Sequence, residues 1–390
     1  METVYLDNSA TTLVCARSRE RMLDALDHVG NPSSLHFEGV RARRIINEAR
    51  SALLEALGVR PTPAPEYKVI FTSCGTESND LALRGVLTAK NRKFIPRVIT
   101  ANSEHPSVLE TLTCLEKEGK AEIIKLSTKG GAIDEGELKN ALNERTVLVS
   151  IMTVNNETGA VYDIKKLFSL VKSVNPAIIT HTDMTQGFMK IKLSGGIPAL
   201  KADAVTVSGH KIHAPKGVAA LIVKSDLVKR GQISPILRGG GQEEGMRSGT
   251  ENLPGIAALH GAIEECKAAL DSGFEERISN LRGRFVAALP DEVTINQPKS
   301  FAPHIISLTM PRIKSQTTLS FLSSKGICVS SGSACSSHKN TGSYVLAAYG
   351  LTPAEADSTV RISLSVYTTA EELDAAAAAI TEGCRTLVRF

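Results

Sequence analysis

An α/β fold built on a mainly parallel sheet, with a second and smaller α/β unit after it, is what this sequence predicts, on three observations. Short apolar, β-branched runs alternate along the chain with turn residues and amphipathic stretches, the pattern of a sheet covered by helices. At 390 residues the chain exceeds the usual size of one domain, which favours two domains or a large one with an appendage. A long helical pattern from Leu253 to Ala269 then separates the first set of strand-like runs from a second.

The elements follow in order. Glu38 to Ala56 carries apolar residues at helical spacing and stops before the turn-rich Pro61-Thr-Pro-Ala-Pro65, so a helix is expected there. Strands are expected at Lys68 to Phe71, Arg97 to Thr100, Glu122 to Leu126, Val147 to Met152, Ala177 to His181 and Ala204 to Val207, each followed by turn residues and an amphipathic stretch. Val218 to Val223 arrives straight after Pro215-Lys-Gly and reads as an antiparallel addition to the same sheet. Val293 to Ile295, Ile305 to Met310 and Val360 to Leu364 read as strands of the smaller unit, with a boundary near residue 260. The chain has no internal repeat and no low-complexity segment.

Composition narrows the function. Hydrophobic residues at 42% and charged residues at 22% describe an ordinary globular chain rather than a disordered one. The longest apolar runs, such as Val218 to Val223 and Ala375 to Ile380, fall short of the roughly 18 residues that cross a bilayer, so no membrane span is expected. A net charge of +4 from 45 basic and 41 acidic residues without long blocks lacks an electrostatic footprint for nucleic acid and points to a small-molecule partner. The start, Met1-Glu-Thr-Val-Tyr5, has neither a basic n-region nor an Arg-rich helix, so no targeting segment is expected. Seven widely spaced cysteines read as reduced thiols in a cytosol, at least one of them reactive.

Ligands of open α/β sheets bind at the carboxyl ends of strands, and several polar residues fall there. Val69-Ile-Phe-Thr-Ser73 runs into Cys74-Gly75-Thr76-Glu77 and a helix, aiming free N–H groups and a hydroxyl at an anion such as phosphate. The same residues also suit a plain helix cap. No Gly-Lys-Ser/Thr follows, so this is not a Walker loop. Gly239-Gly-Gly-Gln-Glu-Glu-Gly245 misses the dinucleotide fingerprint. His181-Thr-Asp183 ends one strand, and Ser208-Gly-His210-Lys211 ends another. Singly, Asp183 reads as a strand-end turn residue and Lys211 as a surface lysine. Together, a carboxylate, a lysine and a phosphate-type turn at neighbouring strand ends are what pyridoxal phosphate demands: a Schiff-base lysine, an anion for the pyridine nitrogen and a helix N-terminus for the phosphate.

These residues extend into an ordered series: Tyr5-Leu-Asp-Asn-Ser-Ala-Thr-Thr12, Gly30-Asn-Pro-Ser-Ser-Leu-His36, Phe71 to Asn79, Glu104-His105-Pro, Val154-Asn155-Asn-Glu-Thr-Gly159, His181 to Gln186, Ser208 to Lys211, Arg247-Ser-Gly-Thr250 and Ser331-Gly-Ser-Ala-Cys335. In this order, over nearly the whole chain, the series resembles the cysteine desulfurases, in the class V aminotransferase branch of fold type I pyridoxal phosphate enzymes. The Ser-Gly-Ser-Ala-Cys form is similar to group I of that family. The resemblance implies a large cofactor-binding domain (15–262) with a mainly parallel seven-stranded sheet. It also implies a smaller C-terminal α/β domain, made of 1–14 and 263–390 and carrying the cysteine loop at about 330–343.

By the same resemblance Lys211 holds the cofactor's aldehyde carbon, Asp183 pairs with the pyridinium nitrogen, Gln186 meets the phenolic oxygen and His105 stacks on the ring. Gly75, Thr76, Ser208 and His210 hold the phosphate, helped by Thr250 from a second subunit of a homodimer. Asn155 and Arg361 take the substrate carboxylate, a task suited to the guanidinium fork. Cys335 is the implied nucleophile, turning L-cysteine into L-alanine with the sulfur kept as a persulfide for an acceptor protein. His105 moves protons at the thiol and the ring. A cytoplasmic enzyme without a metal is expected, feeding iron-sulfur clusters, transfer RNA thiolation or a cofactor.

A free cysteine is usually a small buried hydrophobe, but the polar, glycine-containing stretch around Cys335 suits a reactive thiolate. Cys328, within Gly326-Ile-Cys-Val, reads as a buried strand thiol, and Cys74 as tolerated packing. Cys328, Cys335 and His338 lack the paired spacing of a metal site, and Ala214-Pro215 argues against a metal pair of His210 with His213. Only 29 residues follow Arg361, so the longer C-terminal extension of the housekeeping iron-sulfur branch is not expected. The competing readings are a class V aminotransferase or a selenocysteine or cysteine-conjugate lyase with the same cofactor, and a metal- or cluster-binding protein without catalysis.

Overall fold

Seven strands form the central sheet of the computed structural model, which describes residues 3–90, 92–332 and 342–389. From edge to edge they are Tyr67–Thr72, Ala219–Lys224, Ala204–Ser208, Ile179–Asp183, Thr146–Ser150, Arg97–Ala101 and Glu122–Leu126. All run parallel except Ala219–Lys224, which is antiparallel to both of its neighbours. The chain returns to that strand from Ser208 through a loop with no crossover helix longer than the turn Gly209–Lys211, and a parallel return needs a longer crossover.

Alternation along the strands feeds two cores. Val69, Phe71, Val205, Val207, Ala220 and Ile222 point into one, shared with the helices Phe37–Ala56 and Leu253–Asp271. Ile70, Leu221 and Val223 point into the other, shared with Gly75–Thr88 and Pro106–Lys117. Both faces are covered, which is why these strands read as continuous apolar runs. The first long helix begins at Phe37 because His36 caps it, its Nδ1 accepting from the Gly39 N–H at 3.3 Å.

A separate core gathers Leu6 with Phe285, Ile306, Leu308, Ile362, Leu373 and Ile380. It lies against a three-stranded antiparallel sheet of Thr294–Ile295, Ile305–Thr309 and Thr359–Ser363. A two-residue parallel pairing of Val4–Tyr5 with Ile327–Cys328 is too short to leave a sequence pattern. Cys328 lies in that strand as expected but is half-buried rather than buried. The N-terminal segment is fastened at both ends. Arg361 donates to Asp7 Oδ1 at 2.7 Å and Asn8 donates to the Ser363 carbonyl at 2.8 Å, while the Thr12 N–H donates to the His210 carbonyl at 3.0 Å. That path lays Ser9 and Ala10 across the carboxyl ends of the central strands.

Candidate active site

One cavity of about 250 Å³ opens at those strand ends, and Gly75, Thr76, His105, Asp183, Gln186, Ser208, His210, Lys211 and Arg361 line it. The strand Tyr67–Thr72 leads into it through Cys74, an extended residue that makes no side-chain cap to the helix Gly75–Thr88. The first N–H groups of that helix are therefore free to meet an anion. Glu77 braces the turn, accepting from Ser73 N at 2.8 Å and from Arg247 Nε at 2.8 Å. Burial alone would raise the Glu77 carboxyl, but the bonds from Arg247 and Ser73 bring it below its ordinary value. Cys74 is exposed at the cavity wall and so is not a packing residue.

Asp183 ends its strand buried, with Oδ1 accepting from Thr185 N at 2.9 Å and Oδ2 from Asn79 Nδ2 at 2.8 Å. Lys211 reaches in from the turn after Ser208, and its Nζ donates to the Ser9 and Ala10 carbonyls at 2.7 and 2.6 Å. Gln186 Nε2 donates to the same Ser9 carbonyl at 2.9 Å while its Oε1 accepts from the buried Lys190 ammonium at 2.8 Å. Burial, with Lys211 adding repulsion, brings Lys190 down to about 7. Burial and the Lys211 charge also bring His210 down to about 3, so its ring is neutral. Beneath His105, fully buried Glu104 is raised well above the carboxylate range by burial, with the Asp183 charge adding to it.

Arg361 is buried against Asp7 and the Asn156 carbonyl, the latter at 2.9 Å, and its Nε has no partner among the described residues. Asn155 is placed differently. Its Nδ2 donates to the Ser103 carbonyl at 3.0 Å, and its Oδ1 accepts from the N–H groups of Glu157 and Thr158, both at 2.9 Å. Its carboxamide closes a turn, and its neighbour Asn156 lines the cavity. Thr250 lies in a separate crevice with Ser73, Gly217 and Arg247. Cys335 and His338 lie outside the described residues.

Sequence reasoning gives no role to Ser9, Ala10, Asn79, Ser107 or Lys190. Ser9, Ala10 and Asn79 fall inside the ordered motifs, which is a signal. Lys190 and Ser107 leave none, because their partners come from the fold.

The family description Aminotransferase class-V matches residues 4–376, and the chain belongs to that family. Its full-length relatives narrow the class. Cysteine desulfurase 2 of Trichormus variabilis is 37% identical over 96% of this chain and 91% of its own. A cysteine desulfurase IscS of Dictyoglomus turgidum is 37% identical over 95% and 92%. Among solved structures, a NifS-like protein superimposes with a TM-score of 0.90 at 33% identity, covering 99% of this chain and all of its own. One described as SspA in complex with cysteine gives 0.78 at 30%, covering 94% and 99%.

The family's cofactor is pyridoxal phosphate, and the cavity fits it. A Cβ added at Gly75 would lie 3.4 Å from Ser208 Cβ and 3.5 Å from Thr185 Oγ1, filling the cradle in which free helix N–H groups await a phosphate. The buried Arg361 Nε likewise awaits an acceptor.

Proposed function

We propose that this protein is a cysteine desulfurase, converting L-cysteine to L-alanine and keeping the sulfur as a persulfide on Cys335. One observation carries the reading: Lys211 Nζ, the Asp183 carboxylate and the Gly75–Thr76 turn converge on one cavity, in a chain whose full-length relatives are named cysteine desulfurases. When bound, pyridoxal phosphate supplies an electron sink for the bonding pair released at the substrate's Cα. Asp183, aligned by Thr185 and Asn79, holds the proton on the pyridine nitrogen. Gly75, Thr76, Ser208 and His210 hold the phosphate, His210 as a neutral ring. Gln186, its amide oriented by Lys190, would offer an N–H to the cofactor's phenolic oxygen, and His105 would lie against its ring. Lys211 carries the cofactor and moves the Cα proton.

Arg361 binds the substrate carboxylate, with Asn155 shaping the turn that presents Asn156 beside it. The Cys335 thiolate attacks the substrate sulfur: an S–S bond forms, the Cβ–S bond breaks, and its electron pair goes to Cβ, which gains a proton to become the methyl group of alanine. One cysteine and one enzyme thiol give one alanine and one persulfide, with no outside oxidant.

The working unit is a two-fold homodimer in which Thr250 completes the partner's phosphate site. Leu13, Leu23, Leu26, Val29, Leu35, Phe37 and Val40 support it: all are exposed within one short stretch of the chain, Val29 at 90% and Leu35 at 89%. The division into 15–262 and 1–14 with 263–390 rests on the two-sided central core and the separate one around Leu6. A sulfur-acceptor protein in the cytoplasm receives the persulfide, serving iron-sulfur clusters, transfer RNA thiolation or a cofactor. The six described cysteines are all free thiols, and no helix among the described residues is long and apolar enough to cross a membrane.

The test incubates the holoenzyme with L-cysteine and follows alanine, sulfide and the mass of the Cys335 peptide. Wild type gains one sulfur atom on that peptide. Cys335→Ser keeps the bound cofactor, while alanine release falls by more than about two orders of magnitude, because a hydroxyl at neutral pH is no substitute for a thiolate. Near wild-type sulfide release by the variant would mark a lyase, and amino transfer without sulfide an aminotransferase.

A further inference from the structure

Ser107 and Asn79 have no part in the proposed reaction beyond alignment of Asp183, yet they join Asp183 to His105. Asn79 donates one N–H to Asp183 Oδ2 at 2.8 Å and the other to Ser107 Oγ at 2.8 Å. Both of its side-chain bonds are donations, and its Oδ1 is buried with no partner among the described residues. Ser107 Oγ stands 2.8 Å from His105 Nδ1. The Ser107 backbone N–H donates to that nitrogen as well, at 3.2 Å, because His105 is the N-cap of the helix Pro106–Lys117. Asn79, Ser107 and Asp183 are all buried.

We infer that Ser107 and Asn79 hold His105 as the neutral tautomer with its hydrogen on Nε2, so that the ring offers the cavity an N–H donor rather than a base. The backbone N–H of Ser107 is a donor that no rotation can reverse. The hydroxyl already accepts from Asn79, and its own hydrogen has no acceptor among the described residues other than Nδ1. A hydrogen on Nδ1 would leave the Ser107 N–H and hydroxyl without an acceptor among the described residues, which costs more than the bonds are worth when made. The imidazolium meets the same obstacle. Burial disfavours it first, the Lys211 charge disfavours it further, and Asp183 opposes both.

Nε2 is bonded to none of the described residues, and His105 lines the cavity. An N–H there stabilises an electron-rich atom. Under the desulfurase reading, on which this step rests, that atom is the substrate sulfur, whose lone pair accepts the N–H while the sulfur keeps its own hydrogen for attack by the Cys335 thiolate. Ser107 and Asn79 are thus positioning residues, and His105 orients the substrate sulfur by hydrogen bonding.

The test is the ring tautomer, read by long-range proton–nitrogen correlation on holoenzyme labelled with 15N-histidine, the His105 signals being assigned by their loss in His105→Gln. Wild type is expected to carry hydrogen on Nε2 alone. Ser107→Ala removes one of the two donors to Nδ1 and shifts the ratio toward Nδ1–H by about three- to tenfold, the worth of one ordinary hydrogen bond. Ser107→Thr, which keeps the hydroxyl, restores the wild-type spectrum. Hydrogen on Nδ1 in wild type overturns the inference. Alanine formation from L-cysteine, measured on the same samples, separates the two ideas. An Nε2–H ring without turnover supports the tautomer inference and rejects the desulfurase reading, whereas turnover with an Nδ1–H ring does the reverse.

Discussion

His213 shows how a single side chain ties distant segments together and sets a pH dependence. It adopts a positive φ of 71°, its Nδ1 donates to the Leu13 carbonyl at 2.8 Å, and its ring meets Tyr367 edge-on at 5.0 Å. Burial pushes its pKa from 6.5 to about 4, against the pull of the Leu13 carbonyl. Between those values the unfolded chain binds the proton and the folded one does not. The contribution of His213 is therefore complete above pH 6.5 and is lost as the pH falls to about 4, a loss on the order of 3 kcal/mol. His213→Asn keeps an N–H donor and tolerates the left-handed backbone but does not titrate. Urea midpoints at neutral pH and at the acid end of this window should draw closer in the variant, and an unchanged gap would refute the assignment. The sequence marks His213 only by its spacing from His210, because its partners lie far away along the chain. Asp183 and Lys211 are legible because strand ends are local patterns. Asn155 is legible only in part for the same reason: its motif is local, whereas the bonds that hold its carboxamide come from the folded turn and the Ser103 carbonyl.

At the level of elements, backbone contacts between helices are the part the sequence leaves unseen. Periodicity locates the central strands to within a residue or two, since burial on both faces enforces long apolar runs, and it places the helix that the structure bounds at Leu253–Asp271. It says nothing of why Gly261 sits in the middle of that helix. A Cβ there would lie 2.5 Å from the Arg17 carbonyl oxygen, in the first turn of the helix Ala16–Leu26, and Ser18 Oγ bonds the Ala258 carbonyl at 2.8 Å across the same crossing. Gly261→Ala must force the helices apart, costing about 1–3 kcal/mol by overpacking. Gly283, in the helix Phe274–Ala287, is the control: a Cβ there meets nothing within 4 Å. Gly283→Ala should stabilise by about 0.5–1 kcal/mol, the ordinary helical preference. Thermal or urea unfolding of the two variants should move in opposite directions. Equal shifts would mean that the close approach at Gly261 carries no energy.

For the whole molecule, the decisive question is whether a site is completed by a second copy. Thr250 lies outside the cavity that Lys211 lines, in a crevice with Arg247 and Gly217, and the exposed apolar stretch from Leu13 to Val40 offers a surface for a partner. If Thr250 serves the neighbour, Thr250→Arg damages the partner's site and spares its own Lys211, whereas Lys211→Ala damages only its own. Each variant is then inactive as a homodimer. In the mixed dimer one site receives both defects, while the other joins an intact Lys211 to an intact Thr250 from across the interface. Co-expression with two different tags and tandem purification isolates that heterodimer, which should recover up to half of the wild-type alanine-forming sites and bind about one cofactor for every two chains. Both homodimers must first show wild-type unfolding midpoints, so that loss of activity is not loss of fold. A well-folded heterodimer that forms no alanine would place Thr250 in its own subunit's site, and the interface would then hold the molecule together without sharing its chemistry.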